Sequence, residues 1–292
     1  MADYEVTHTT VYSYSEKVSH CQNIAYLLPQ SDSRQSCERT ELTISPTPAA
    51  SADHTDYFGN RFRYFSVEQP HRQLSVTART RIRTDNLLQN DWEHSPAWEE
   101  VAASVRNPLE AADIAAVEYL LPSPFITLSS VFGDYAAESF SPGRPVLAAA
   151  LEFAQRIRSD FKYEQKSTTI LTPLSDVFRH RRGVCQDFAH LAIAALRTIG
   201  IPARYVSGYI ETYPPAGKPK LRGSDASHAW ISVYAGAAGW CDFDPTNGKA
   251  ITEEFIVTAR GRDFGDVSPL KGILFGGGKH TLKVEVDVHR LT

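Results

Sequence analysis

The first part of the chain alternates apolar and polar positions with a period of two. Residues 4–14 read Tyr4-Glu5-Val6-Thr7-His8-Thr9-Thr10-Val11-Tyr12-Ser13-Tyr14, rich in β-branched and aromatic side chains that fit a half-buried strand. Similar runs recur at residues 37–44, 61–67 and 74–83. Asp56-Tyr57-Phe58-Gly59-Asn60 supplies turn chemistry between the first two of these. Short strands with turn signals and little helical patterning predict an antiparallel sandwich or barrel-like domain over residues 1–95.

The period then changes. Residues 96–144 form a mixed connecting segment, interrupted by Pro122 and Pro124. Pro145 suits the first turn of a helix, and Val146, Ala149, Ala150, Phe153 and Ile157 follow at helical spacing. Helical patterning continues to residue 199 with one break. Strands are expected at 203–211, 228–234 and 240–243, a loop at the glycine-rich stretch 272–278, and a last strand with one wet face at 281–288. Helices followed by strands predict an α+β second domain, residues 145–292, with helices packed on an antiparallel sheet rather than a βαβ series.

Within that domain, Thr172 and Pro173 are placed as N-cap and first residue of a short helix ending near His180. The next helix, residues 185–199, is apolar on most of its surface and must be largely buried. Cys185 stands at its start. The thiolate is the nucleophilic form of cysteine, and at an ordinary pKa of about 8.5 little of it exists at neutral pH. Unpaired N–H groups at a helix N-terminus favour the thiolate and can also hold an oxyanion. Taken alone, a lone cysteine is more often an inert core group. Partners alter that balance. The strands at 228–234 and 240–243 flank the short loop Ala235-Gly236-Ala237-Ala238 and should pair as a hairpin. Six residues run back to His228 and five forward to Asp244, so both fall at its open end. A carboxylate beside an imidazole fixes its tautomer and stabilises its protonated form. Asp242, on the same strand face, is a rival orienter.

Three segments carry a resemblance. Gly183-Val184-Cys185-Gln186-Asp187-Phe188-Ala189-His190-Leu191, His228-Ala229-Trp230 and Phe243-Asp244-Pro245-Thr246-Asn247 are similar to the signature segments of transglutaminase-like proteins. Residues 8–14, Leu27-Leu28-Pro29 and residues 56–60 resemble the N-terminal β region of bacterial members. The resemblance implies a papain-like core in which Cys185 is the nucleophile, His228 the general base and acid, and Asp244 its orienter. It also selects Asp244 over Asp242. The implied chemistry is attack on a protein or peptide carboxamide, with a thioester resolved by an amine or by water. Gln186, Asp187, Trp230, Trp240 and Asn247 are candidates for substrate contacts or for supporting the triad. The family's animal enzymes use calcium, but no EF-hand-like loop occurs here, so neither metal nor cofactor is expected. Rival readings are a non-catalytic papain-like binding module and an arylamine-type acyltransferase.

Composition narrows the context. The 292 residues carry 30 Lys+Arg against 34 Asp+Glu, a formal charge of −4, which gives no footprint for nucleic acid or an anionic membrane. The start of the chain has no basic-then-apolar pattern, and four cysteines (Cys21, Cys37, Cys185, Cys241) fit free thiols in a reducing compartment; a cytoplasmic location is expected. Cys185, His190, His228 and Cys241 lack zinc-site spacing. The run Arg179-His180-Arg181-Arg182 is read either as a charge acting on the thiol or its substrate, or as a solvated helix end. Residues 258–265 and 272–278 are candidates to border the cleft.

Overall fold

The computed structural model describes residues 1–85, 92–212 and 227–291. Strand β1 (Ala2–Ala25) is the spine of the first sheet. Ala2, Tyr4, Val6, His8 and Thr10 alternate as its buried positions. On one side of β1 run β4 (Arg61–Val67) and β5 (His71–Thr84), end to end and antiparallel to it. Outside them lie β3 (Ala50–Thr55) and β2 (Gln35–Ser45), again end to end. The other side of β1 is covered by the chain's last two strands, β13 (Leu270–Gly276) and β14 (His280–Arg290). Each long path breaks at the same level: Pro46 in one, Pro70 in the next, a register shift between Ser13 and Val18 in β1, and Gly276 to Gly278 in the last. Proline removes a ladder donor, and the three glycines adopt φ of 92°, 86° and 61°, open to glycine at little cost. The sheet therefore creases along one line and becomes a half-barrel, the antiparallel β unit expected at the N-terminus.

Two expectations for the tail are corrected. Residues 272–276 are strand rather than loop, because Gly272 must lie flat against β1: a Cβ there would stand 2.3 Å from the Gln22 carbonyl oxygen. The strand at 281–288 exists, but it pairs with β1 and not with the second sheet. Only Val286 and Val288 are buried on it, while residues 280–284 are exposed on both faces. Their partners are Tyr4, Val6 and Ile82, together with Tyr209 and Ile256 from the second sheet.

The second sheet is antiparallel throughout. Its order is β11 (Lys249–Ala250), β10 (Trp240–Asp244), β9 (Ser227–Tyr234), β8 (Ala203–Ile210), β12 (Phe255–Gly261). Helix α6 (Cys185–Thr198) packs against one face, burying Phe188, Leu191, Ile193 and Leu196 against Ala203, Ile231, Val233 and Phe243. The same core takes in α4 (Val146–Asp160), α5 (Leu174–His180) and α3 (Ser130–Ala137). It also takes in α1 (Trp98–Arg106) and α2 (Ala111–Ala116) from the connecting segment. A short α7 (Phe264–Val267) follows β12, and two-residue strands β6 (Lys162–Tyr163) and β7 (Arg182–Gly183) pair in parallel just before α6.

Helix α5 starts one residue later than expected. Pro173 is its N-cap, and the Thr172 hydroxyl accepts from the Thr169 N–H instead of capping the helix. In the basic run after it Arg179, His180 and Arg182 are exposed, as at a solvated helix end, and Arg181 is the exception. Arg181 turns its guanidinium onto the rings of Tyr135, Phe161 and Phe178, while Arg179 pairs with Asp176 and Arg182 with Glu164. Three aromatic faces at the crossing outweigh solvent for Arg181.

The two sheets meet through polar as well as apolar contacts. Gln35 exchanges two hydrogen bonds with the Val257 backbone, and Asn60 exchanges two with that of Arg260. Tyr4 donates to Glu211, and the His8 ring meets the Tyr209 hydroxyl.

Candidate active site

The site is built where α6 begins and the β9–β10 hairpin opens. Val184 is the N-cap residue of α6, and valine has no side-chain acceptor. The first-turn N–H groups are thus not capped by that side chain, and Cys185 is the first helical residue. Asp187 secures the helix start from the other direction. Its Oδ2 accepts from the Val184 N–H at 2.8 Å and from the Thr168 hydroxyl at 2.6 Å. Burial raises the Asp187 carboxyl, and those two hydrogen bonds work against the rise. This packing leaves no room on Gly183, whose Cβ would lie 2.7 Å from Asp187 Oδ2.

In the hairpin, Trp240 pairs with Tyr234 and Phe243 with Ile231. That register sets each aspartate of β10 diagonal to a ring on β9. Asp242, opposite Ser232, reaches the indole N–H of Trp230 at 3.1 Å. Asp244 reaches Nε2 of His228 at 2.8 Å. The two carboxylates thus serve different neighbours, and Asp244 is the one that meets the histidine. Hydrogen bonds to Asp244 fill both of its oxygens: Oδ1 takes the Thr246 N–H at 2.8 Å, and Oδ2 also takes the Asn247 amide at 2.6 Å. Asp244 is fully buried, which alone would raise its carboxyl, yet His228, Asn247 and Thr246 together hold it below the usual range.

Burial pulls the His228 imidazole down, but Asp244, and then Cys185, outweigh it and push it up to about 10. Cys185 enters this balance through a side-chain hydrogen bond as well as charge. Since Nε2 is held by Asp244, Nδ1 is the ring nitrogen left for the thiol. Thiol, imidazole and carboxylate therefore stand in series, with the imidazole between the other two.

The surrounding walls were only partly legible in the sequence. Trp230 is fully buried, with its ring 6.1 Å from that of His228. Trp240 is not brought to the site: it lies at the hairpin's closed end against Tyr119 and Tyr234, beneath the Arg204 guanidinium. Tyr163 and Tyr205 both lie within the electrostatic reach of Cys185, and neither carries a local motif that would single it out. His190 sits five residues on, about 140° around the helix. It is buried, accepts from the Phe264 N–H at 3.2 Å, and stacks on Phe125. Burial lowers it to about 4, so it is neutral at physiological pH. With Gln186, Asp187, Phe125 and Thr172 it lines a cavity of about 440 Å³ beside the start of α6. Among the described residues, no group of three or more His, Cys, Asp and Glu side chains is placed to hold a metal ion. All four cysteines are free, and no described helix is long and apolar enough to cross a membrane.

Comparison with known proteins places this geometry. The model of the bacterial transglutaminase-like N-terminal region matches residues 4–83, and that of the transglutaminase-like superfamily matches residues 134–245. An uncharacterized protein of Mycobacterium tuberculosis is 39% identical over 98% of this chain and 92% of its own. A solved structure from Cytophaga hutchinsonii, named as a candidate cysteine protease, superposes with a TM-score of 0.77 at 21% identity, covering 100% of this chain and 91% of the other. A shorter match, 38% identical over 24% of this chain and 11% of the other, is to a protein-glutamine gamma-glutamyltransferase of Pseudomonas aeruginosa. The chain belongs to the transglutaminase-like superfamily, with a bacterial transglutaminase-like N-terminal region ahead of its papain-like core.

Proposed function

We propose that this protein is a cysteine-dependent amide acyl-transfer or hydrolysing enzyme, with Cys185 as nucleophile, His228 as base and acid, and Asp244 as orienter. The observation that carries the reading is the His228–Asp244 hydrogen bond of 2.8 Å, with the thiol of a helix-start cysteine on the same imidazole. The Cys185 sulfur attacks the carbonyl carbon of a carboxamide, and the first-turn N–H groups of α6 take the developing oxyanion. His228 gives its proton to the departing nitrogen, so ammonia or an amine leaves and a thioester remains. Water or an acceptor amine then attacks that thioester while His228 takes back a proton, releasing acid or new amide and restoring the thiol. The cavity beside Gln186 suits a donor side chain, and likeness to the Pseudomonas protein-glutamine gamma-glutamyltransferase supports a glutamine carboxamide. A peptide or protein amide substrate in a cytoplasmic, thiol-reducing setting fits the four free cysteines. The unit at 1–95, completed by the strands at 270–290, acts as a β module fused to the catalytic unit, with residues 96–144 joined to the latter's core.

Incubation with a glutamine-containing peptide, with and without a primary amine, separates the readings by ammonia release and product mass. Ammonia release with mass gain from the amine identifies transamidation, and release with a one-dalton gain identifies deamidation. A peptide cut marks peptidase action. Activity unchanged in Cys185→Ala rejects Cys185 as the nucleophile, and peptide binding with no turnover in the wild type rejects the proposal in favour of a binding module.

A further inference from the structure

Strands β13 and β14 run end to end along one side of β1, and among the described residues β1 is the only strand that either pairs with. The Leu291 N–H donates to the Asp3 carbonyl, and the Ser15 N–H to the Lys279 carbonyl. The odd-numbered residues of β14 therefore exchange the hydrogen bonds with β1. The N–H and C=O groups of His280, Leu282 and Val284 point the other way, along the rim of the half-barrel. Leu282 is 53% and Val284 46% exposed there, and Ile273, Leu274 and Phe275 are exposed beyond the crease. A run of apolar side chains along one edge is more than scattered exposure.

Edges of this kind are normally blunted by proline, by a bulge or by like charges. Residues 280–285 contain no proline and pair with β1 in unbroken register. Their formal charges are one of each sign, Lys283 and Glu285, whose side chains form an ion pair at 2.9 Å. Lys279, just before the strand, adds a second cation. At Val286 the strand becomes fully buried, so the open stretch ends there.

We propose that this edge pairs with the same edge of a second copy of the chain, joining two half-barrels into one continuous sheet. A two-fold axis makes such a pair antiparallel and self-complementary. The outward main-chain groups sit on even residues, so even must face even across the axis. Registers that keep the pairing within residues 279–285 differ in the charges they oppose. With Lys283 on the axis, two lysines face each other. With Thr281 on the axis, Lys279 faces the partner's Lys283. With Leu282 on the axis, His280 meets the partner's Val284, Thr281 its Lys283, and Lys279 its Glu285. That register opposes no like charges and sets a lysine–glutamate pair at each end of the seam. Charge complementarity thus favours a second copy as the occupant and fixes its register, and Leu282 and Val284 are covered in it. About six main-chain hydrogen bonds form across the seam. So short a seam gives a weak, concentration-dependent dimer rather than an obligate one. The pairing is independent of the role proposed for Cys185.

Sedimentation velocity on the full chain, over about 1–500 µM, tests this. The expected result is a weight-average mass that rises with concentration from that of one chain towards that of two. Glu285→Lys sets lysine against the partner's Lys279 and should weaken the dimer about tenfold or more. Adding Lys279→Glu to it restores opposite charges and should recover the dimer. Val284→Pro removes an outward N–H, which an edge strand tolerates, so it should weaken the dimer while each chain keeps its native circular dichroism. The charge variants decide alone if Val284→Pro fails to fold. A mass of one chain throughout the range overturns the proposal. So does a dimer that Glu285→Lys leaves unchanged, or one that it weakens and the double variant does not recover.

Discussion

Replacing Asp244 by asparagine is the most informative single perturbation. The side chain is fully buried, and its oxygens take donors from His228, Asn247 and Thr246 at 2.8, 2.6 and 2.8 Å. Asparagine keeps the volume but removes the charge and offers one acceptor oxygen where two are used. A hydrogen bond between charged groups contributes about 1.5–3 kcal/mol, and 1.36 kcal/mol corresponds to one pKa unit. The imidazole should therefore fall by roughly one to two units from its raised position. The linkage has a definite sign. His228 is raised in the folded state from 6.5 to about 10. Its contribution to stability is then complete below about pH 6.5 and is lost as pH rises towards 10. Urea unfolding of the wild type from pH 6 to pH 10 should show this decline, and Asp244→Asn should be less stable by about 1.5–3 kcal/mol at pH 6 with a flatter profile. Alkylation of Cys185 at neutral pH should slow, because the imidazole loses the carboxylate that fixes its tautomer and orientation beside the thiol. An unchanged pH profile together with an unchanged alkylation rate would refute the coupling of carboxylate, imidazole and thiol.

Three further outcomes follow from the same contacts. Iodoacetamide at neutral pH should modify Cys185 first, because burial raises the Cys21 thiol and pushes Cys241 up to about 11; equal labelling in a peptide map counts against an activated thiol. Gly208→Ala should destabilise by about 1–3 kcal/mol in urea unfolding through overpacking, since a Cβ would stand 2.0 Å from the Ile256 carbonyl oxygen and 2.5 Å from the Trp230 ring; a neutral substitution means that β8 and Trp230 yield more readily than their packing implies. Ending the chain at residue 268 should abolish cooperative folding of the half-barrel, because β13 and β14 are the neighbours of β1 on that side; a truncated protein with native circular dichroism and an unshifted unfolding midpoint contradicts this.

Much of the site is local information. The burial of α6 follows from its apolar periphery, and the closeness of His228 to Asp244 follows from a short loop between two strands. A helix-start cysteine needs no long-range contact to gain its N–H groups. Which aspartate faces the histidine was beyond such counting. Asp242 and Asp244 share a strand face, and only the pairing register, with Trp240 opposite Tyr234, sends one to Trp230 and the other to His228. Period-two alternation assigns faces, not partners.

The tail shows the same division on a larger scale. Alternation at residues 281–288 specified a strand, but nothing local says that its neighbour lies some 270 residues earlier, with Tyr4 opposite Arg290. The glycines at 272–278 read as a loop because glycine is a poor strand former, whereas close approach of two backbones requires the absence of a side chain at Gly272. Arg181 looked like a surface charge until three aromatic rings from separate elements converged on it. The sequence by itself determined most element types, the helix-start position of Cys185 and the closeness of His228 to Asp244, because propensity, capping and hairpin length act between near neighbours. Sheet membership, the choice of carboxylate and the burial of Arg181 were decided by the tertiary structure, because each depends on residues that only packing brings together.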